Sequence, residues 1–247
     1  MIVKEIFAKS VLSRSQVYDY ALNPYVGCGH ACRYCYAAFM KRFTGHRERW
    51  GTFVDAKVNA PELLSREIRR RRPARVWISG VCDPYQAAEK RYKLTRRCLE
   101  VLLEAQWPVT IQTKSPLVLR DVAIVENFED IEVGFSIATA DERIRTLFEA
   151  GTPPIGERVR ALEVLHSRGI RAFAMIAPLL PGSEGLVGAL AGKVDHVLID
   201  RLNYFYADRI YRDHGLEWAR EDAFFRLAAE GLREGFEGKG ISVQVLF

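Results

Sequence analysis

The stretch that decides the reading is Asn23-Pro24-Tyr25-Val26-Gly27-Cys28-Gly29-His30-Ala31-Cys32-Arg33-Tyr34-Cys35-Tyr36. Its cysteines follow the spacing C-x3-C-x2-C, placed just past a short run, Leu22–Gly27, that reads as a strand. Three thiolates at these offsets, on a backbone that Gly27 and Gly29 let curl, can hold three irons of a cubane cluster. The fourth iron then has no protein ligand and stays open to an exogenous one. A zinc site made of the three cysteines and His30 is the other chemistry the donor set allows. Against zinc, His30 sits between two of the ligands, where it is hard to aim at the same ion, and there is no second C-x2-C knuckle. Tyr34, Tyr36 and Phe39 are placed to screen the site from water, which influences a cluster's reduction potential.

The surrounding chain is that of an ordinary globular protein. Of 247 residues, 49% are hydrophobic and 27% charged, which argues against wholesale disorder. No apolar stretch reaches the roughly 18–20 residues that span a bilayer. Lys4, Glu5 and Lys9 interrupt the N-terminus before any apolar core of signal-peptide length, so a cytoplasmic location away from membranes is expected. Five cysteines, three of them in one cluster, suit a reduced metal site better than a disulfide framework. Residues 1–124 carry 22 Lys+Arg against 11 Asp+Glu, and residues 125–247 carry 14 against 20. A basic first half points to an anionic partner. Alternatively, Arg69 to Arg72 simply complement a helix C-terminus.

Short β-rich runs alternate with helical patterns. Strands are expected near Leu22–Gly27, Arg75–Gly80, Val109–Lys114, Ile131–Ile137, Arg171–Pro178 and His196–Leu202. Helices are expected at Pro61–Arg72, Tyr92–Ala105, Leu117–Asn127, Glu142–Ala150, Ile155–Arg168 and near Gly185–Ala191. Such alternation implies βα units and a parallel sheet. Six units are fewer than the eight of a closed barrel, so the expected fold is α/β, a partial (β/α)6 TIM-like open barrel. A single domain over 1–247 is expected, with a core of about 21–203, an N-terminal extension 1–20 and a C-terminal extension 204–247. That extension reads as a helix, Glu217–Glu234, and a strand, Ile241–Phe247, that extends the sheet or covers its edge. Cys28, Asp83, Lys114, Ser136 and Pro178 each fall at or just past a strand's carboxyl end, where parallel barrels collect their active sites.

The cysteine string resembles the signature of radical S-adenosylmethionine (radical SAM) enzymes. The longer form, Asn-Pro-Tyr-x-Gly-Cys-x-His-x-Cys-x-Tyr-Cys-Tyr-Ala, is similar to the subgroup of spore photoproduct lyase and its "DNA repair photolyase" relatives. Further matches are Cys82-Asp83-Pro84-Tyr85-Gln86 with Glu89, Thr113-Lys114-Ser115, Phe135-Ser136-Ile137, Pro153 and Pro154 with Arg158, Leu165 to Gly169, and Ala177-Pro178 to Pro181-Gly182. The resemblance spans roughly Ala21 to Asn203. It implies a [4Fe-4S] cluster on Cys28, Cys32 and Cys35, whose open iron binds the amine and carboxylate of SAM. It also implies reductive cleavage of SAM to a 5′-deoxyadenosyl radical that abstracts hydrogen from a substrate, with the protein holding SAM in line and excluding water.

The same resemblance suggests roles for individual residues, each with a plainer alternative. Asp83 would meet the SAM ammonium, or else form the turn before Pro84. Lys114 would pair with the SAM carboxylate, or stay solvated. Ser136 would bond the ribose hydroxyls, or be an ordinary strand serine. Tyr34 would touch the adenine through its backbone. Glu149 and Arg158 match subgroup positions, and helix-end pairing explains them equally. In spore photoproduct lyase a cysteine near the second strand's end returns hydrogen to the product radical, and Cys82 is the candidate for that role here. Here it adjoins Asp83 directly and Gly80 fills the expected place, so Cys82 lining the SAM pocket is the alternative. Only Cys82 and Cys98 remain beyond the cluster set, too few for an auxiliary cluster, and Cys98 reads as core.

The leading expectation is a radical SAM enzyme acting on nucleic acid, as a lyase in lesion repair or in base modification. Lys41, Arg42, Arg47 and Arg49, interleaved with Phe43, His46, Trp50 and Phe53, would form a basic-aromatic lip for phosphates and an extruded base. A helix with a basic surface and buried aromatics is the rival reading of that segment. An electron donor such as flavodoxin or ferredoxin is the expected partner. The alternatives are the same chemistry on a peptide or small metabolite, or a non-enzymatic iron–sulfur or zinc binding module.

Overall fold

A computed structural model describes residues 1–247. The chain forms two compact units, one of residues 1–31 with 37–133 and the other of residues 32–36 with 134–247. No helix is long and apolar enough to cross a membrane.

The first unit contains strands β1 (Ile2–Ile6), β2 (Leu12–Arg14), β3 (Tyr20–Leu22), β4 (Tyr25–Val26), β5 (Phe53–Lys57), β6 (Val76–Ile78) and β7 (Val109–Thr113). Its helices are α1 (Ala60–Ile68), α2 (Ala87–Tyr92), α3 (Leu94–Glu104) and the single turn α4 (Val122–Val125). β6 lies between β3 and β7, parallel to both, and β2 closes the β3 edge antiparallel. Val76, Ile78, Val109 and Ile111 are fully buried, as expected of parallel strands covered on both faces. The remaining strands of this unit form a separate three-stranded sheet, ordered β1-β5-β4.

Several expected elements divide. The run Leu22–Gly27 is not one strand: β3 pairs with β6, whereas β4 pairs with β5 in the other sheet. Pro24 has no N–H to give a ladder, and the Asn23 side chain instead accepts from Val81 N at 3.1 Å. The helix expected over Tyr92–Ala105 begins earlier and breaks at Lys93, which takes φ +52°. Glu89 turns this break into a cap, its carboxylate accepting from Thr95 N and Arg96 N at 3.0 and 3.2 Å. The Leu117–Asn127 segment is a 3-10 turn, Pro116–Asp121, followed by α4. The strands of residues 1–20 were not legible: β1 is largely exposed and lacks a clean alternation.

The chain passes into the second unit along β8 (Ile131–Ser136). It continues through α5 (Glu142–Phe148), α6 (Ile155–Ser167), β9 (Arg171–Ile176), α7 (Leu186–Leu190), β10 (His196–Ile199), α8 (Asp208–Asp213), α9 (Asp222–Glu237) and β11 (Ser242–Val245). β10 pairs in parallel with β9 and β11, so the C-terminal strand extends the sheet. The tail helix is split, a 3-10 turn at Glu217–Arg220 preceding α9.

Gly134 in β8 makes room for its neighbour: a Cβ there would lie 2.1 Å from the Phe173 ring. Gly188, inside α7, has nothing within 4 Å of an added Cβ. Gly134→Ala is expected to cost about 1–3 kcal/mol by overpacking, lowering the melting temperature by roughly 3–10 °C. Gly188→Ala is expected to raise stability by up to about 1 kcal/mol, since it removes a helix glycine at no steric cost. Equal melting temperatures for the two variants would show that Phe173 does not fill the space at Gly134.

Candidate functional site

The segment around Cys28 is fixed by its peptide groups. Gly27 takes φ +84°, and a Cβ on it would sit 2.4 Å from the Phe53 carbonyl oxygen, so only glycine is accommodated. The buried Gln86 amide bridges the cysteine: its Nε2 donates to the Gly27 carbonyl at 3.1 Å, and its Oε1 accepts from Gly29 N at 2.9 Å. Upstream, the Tyr25 hydroxyl donates to the Glu89 carboxylate. Burial, then the Glu89 charge, drives the Tyr25 pKa upward, so the phenol remains a donor. Glu89 is in turn paired with Arg120 at 2.9 Å.

Asp83 lies five residues past the end of β6, and four groups face its carboxylate. Oδ1 accepts from Tyr85 N at 2.9 Å and from the Thr113 hydroxyl at 2.7 Å. Oδ2 accepts from Lys114 N at 2.7 Å and lies 3.2 Å from His30 Nε2. Burial alone would raise this carboxyl's pKa. The His30 interaction and the bonds from Thr113 and Lys114 outweigh burial and hold the value at about 2. Asp83 thus ties the middle of the cysteine loop, through His30, to the end of β7.

The Cys32–Tyr36 segment is anchored within the second unit. Arg33 N donates to the Phe148 carbonyl at 2.8 Å. The buried Tyr34 hydroxyl donates to Glu149, and burial followed by the Glu149 charge raises its pKa well above the ordinary tyrosine value. Glu149 pairs with Arg158 at 2.7 Å. The Arg158 guanidinium is fully buried and also donates to the carbonyls of Pro153 (3.0 Å) and Ser136 (3.1 Å) and to the Thr152 hydroxyl. The expected helix-end pairing is present, Glu149 at the end of α5 with Arg158 near the start of α6, and Arg158 makes it from inside the core. It is a core ion whose donors are matched by acceptors, the condition under which a buried charge is tolerated.

Residues 22–184 match the model of the radical SAM superfamily. The chain belongs to that superfamily. Its relatives include an uncharacterized protein of Methanocaldococcus jannaschii, 36% identical over 66% of this chain and 61% of that protein. Another is an uncharacterized protein of Mycobacterium tuberculosis, 31% identical over 72% of this chain and 56% of that one. The chain therefore spans little more than half the length of these relatives. Among solved structures, spore photoproduct lyase complexed with dinucleoside spore photoproduct is similar with a TM-score of 0.74 at 15% identity, over 99% of this chain and 82% of that one. Streptococcus suis SuiB bound to S-adenosylmethionine is similar with a TM-score of 0.63 at 16% identity, over 92% of this chain and 50% of that one. At these identities the likeness concerns the fold, a radical SAM α/β architecture with a largely parallel sheet.

Enzymes of the superfamily use a [4Fe-4S] cluster and SAM, and the chemistry of this chain's donors fits the cluster. None of the five cysteines forms a disulfide; Cys28 is buried, and Cys32 and Cys35 are half-buried. No three His, Cys, Asp or Glu side chains are grouped to hold a single ion. A cubane asks for something else, one thiolate on each of three irons. His30, the fourth ligand a zinc site would need, faces Asp83 instead.

The other expected residues are distributed as follows. Lys114 directly follows β7 and Ser136 ends β8, both at carboxyl ends of strands. Cys82 is half-buried, packs beside Tyr25, Val54, Ala56, Ala88 and Leu94, and has its Sγ 3.8 Å from Ser79 Oγ. Burial pushes its pKa up to about 12, so it is a thiol at neutral pH. Cys98 is fully buried core.

The expected basic-aromatic lip is corrected in part. Phe53 is fully buried in β5, and the buried His46 stacks on it at 3.9 Å while bonding Asp55 and Glu48, each at 2.9 Å. Trp50 packs edge-on against Phe53. Those three are scaffold. Phe39 and Phe43 are exposed, and the Arg42 guanidinium lies over both rings. In the sequence Gln86 and Glu89 stand out only as part of a motif. The signal available in the sequence is an amide and a carboxylate flanking the small apolar pair Ala87-Ala88.

Gln86→Leu keeps the volume but removes both bonds to the Cys28 peptides, together worth about 2 kcal/mol in a buried setting. After anaerobic reconstitution the variant is expected to carry less iron per chain than the parent and to lose it faster to a chelator, at a near-parental far-ultraviolet spectrum. Parental iron content and lability would remove Gln86 from the support of the loop.

Proposed function

We propose that this radical SAM chain acts on nucleic acid, repairing a lesion or modifying a base, in the reducing environment of the cytoplasm. The observation that carries the reading is the three-cysteine loop in a chain whose fold matches spore photoproduct lyase over 99% of its length. The excess of 22 Lys+Arg over 11 Asp+Glu in residues 1–124 supports a polyanionic partner.

In this reading Cys28, Cys32 and Cys35 hold the cluster. When bound, the cluster and SAM supply a radical that takes hydrogen from the substrate, on an electron from a flavodoxin- or ferredoxin-like donor. The chain's own residues bind and orient. The Lys114 ammonium pairs with the SAM carboxylate. Asp83 presents the loop and the Lys114 peptide in fixed register, and its negative charge favours the SAM ammonium nearby. Ser136 bonds the ribose hydroxyls from the end of β8, and the Tyr34 backbone borders the adenine, with the Glu149–Arg158 pair holding both in place. Cys82 gives a hydrogen atom to the product radical, and the thiyl radical left on its sulfur is returned to the thiol by one electron from the same donor and a proton. Its raised pKa suits that role, because the thiol and not the thiolate carries the hydrogen.

A second reading has its own support. SuiB, similar in fold, has been seen bound to the precursor peptide SuiA, which keeps the radical chemistry and changes the substrate to a peptide. The non-enzymatic zinc module has less support, since His30 is engaged with Asp83.

Reduced, reconstituted protein with SAM and deuterium-labelled oligonucleotides is expected to release 5′-deoxyadenosine carrying the label. Cys82→Ala is expected to keep 5′-deoxyadenosine release while altering the nucleic-acid product. Label appearing only from peptide substrates would transfer the assignment to the second reading. No 5′-deoxyadenosine above a cluster-free control would refute the enzymatic reading itself.

A further inference from the structure

Exposed aromatic side chains are costly on a surface unless something covers them. In the second unit they are concentrated and ordered. Tyr36, the residue after Cys35, is 40% exposed, and its ring stacks on Tyr204 with centroids 6.2 Å apart and planes 19° apart. Tyr204, 45% exposed, stacks in turn on Tyr206, 53% exposed, at 5.8 Å and 7°. Phe205, between them in sequence, is 77% exposed and has the Arg220 guanidinium 5.5 Å from its ring centre. Three near-parallel phenol rings thus run from the cysteine loop into the segment after β10.

We propose that this row is a stacking platform for the bases of a single-stranded nucleic acid, an inference that rests on the nucleic-acid reading above and assigns where the bases lie. Flat faces with polar edges are what a base requires. An aliphatic peptide would be better served by a groove, and a duplex hides its faces from such a row. The cations nearby fit the same division of labour. Arg220 is paired with Asp208 at 3.2 Å and Arg201 with Asp222 at 2.9 Å, so this region offers ring faces and little net charge for phosphates. The phosphate-directed charge lies further along the chain from Tyr36. The 3-10 segment Tyr36–Phe43 carries Lys41 and Arg42 in its last turn, and Arg42 covers the exposed Phe43 ring at 4.6 Å. The row begins one residue from Cys35, so a base stacked on Tyr36 is held beside the cluster loop.

The test is fluorescence anisotropy of a labelled oligo(dT) on the anaerobically reconstituted protein, over a series of salt concentrations. The parent is expected to bind single strands more tightly than the same sequence in a duplex. Tyr204→Leu is expected to weaken binding by about 5- to 100-fold, the range that base–aromatic stacking spans. The slope of affinity against salt should stay unchanged in that variant, because no phosphate contact is lost. Tyr204→Phe is expected to bind within about twofold of the parent, as it keeps the ring face. Arg42→Gln is expected to lower the salt slope. Parental affinity in Tyr204→Leu, with salt-dependent binding by the parent, would overturn the platform and leave the nucleic-acid reading standing. Absence of oligonucleotide binding by the parent would overturn both.

Discussion

One buried amide, Gln86, holds the peptide groups on both sides of Cys28, and the geometry of the loop follows from that constraint. A loop rich in glycine and free of long helical or strand hydrogen bonding has no stiffness of its own. Its shape must come from side chains that reach it from distant parts of the sequence. Gln86 supplies this at Gly27 and Gly29, Asp83 at His30, and Glu89 at Tyr25. Arg158, through Glu149, does the same for Tyr34 in the second unit. Each of these anchors is buried, where a hydrogen bond has no water competing for it and an unmet partner is expensive.

This arrangement explains why so much polar chemistry is placed inside an otherwise apolar core. Glu89, Asp121 and Arg158 are fully buried, and each is matched by oppositely charged or hydrogen-bonding partners. Replacing them by apolar residues would relieve desolvation but release the loop. Such networks are tolerated where they define a position rather than where they add stability. Asp83 shows the same economy in one carboxylate, whose four partners keep it ionised at about pKa 2. The cysteine loop is thus preorganised by groups that do not themselves carry thiols.

How much of this could be read from the sequence depended on range. The cysteine spacing and the βα alternation are local patterns, and the strands β6 to β10 appear where apolar β-branched runs place them. Pairings set by distant contacts were illegible. The exposed β1 joins β5 from fifty residues away, and Pro24 divides a run that looks continuous. His46, Trp50 and Phe53 resembled a binding lip because basic and aromatic residues alternate there, yet β5 buries Phe53 and stacks His46 on it. The helix-end pairing of Arg158 with Glu149 is legible, whereas its burial and its carbonyl partners are invisible without the fold. The row of Tyr36, Tyr204 and Tyr206 joins residues almost 170 positions apart, which no periodicity could reveal.

In the proposed function this loop's three thiolates leave one iron of a cubane without a protein ligand. Mössbauer spectroscopy of protein reconstituted with 57Fe, recorded with and without SAM, addresses it most directly. The expected result is a four-iron cluster in which a single iron acquires a higher-coordinate signature when SAM is added, while the other three are unchanged. Four irons indifferent to SAM, or a preparation that takes up one zinc per chain and no cluster, would contradict it.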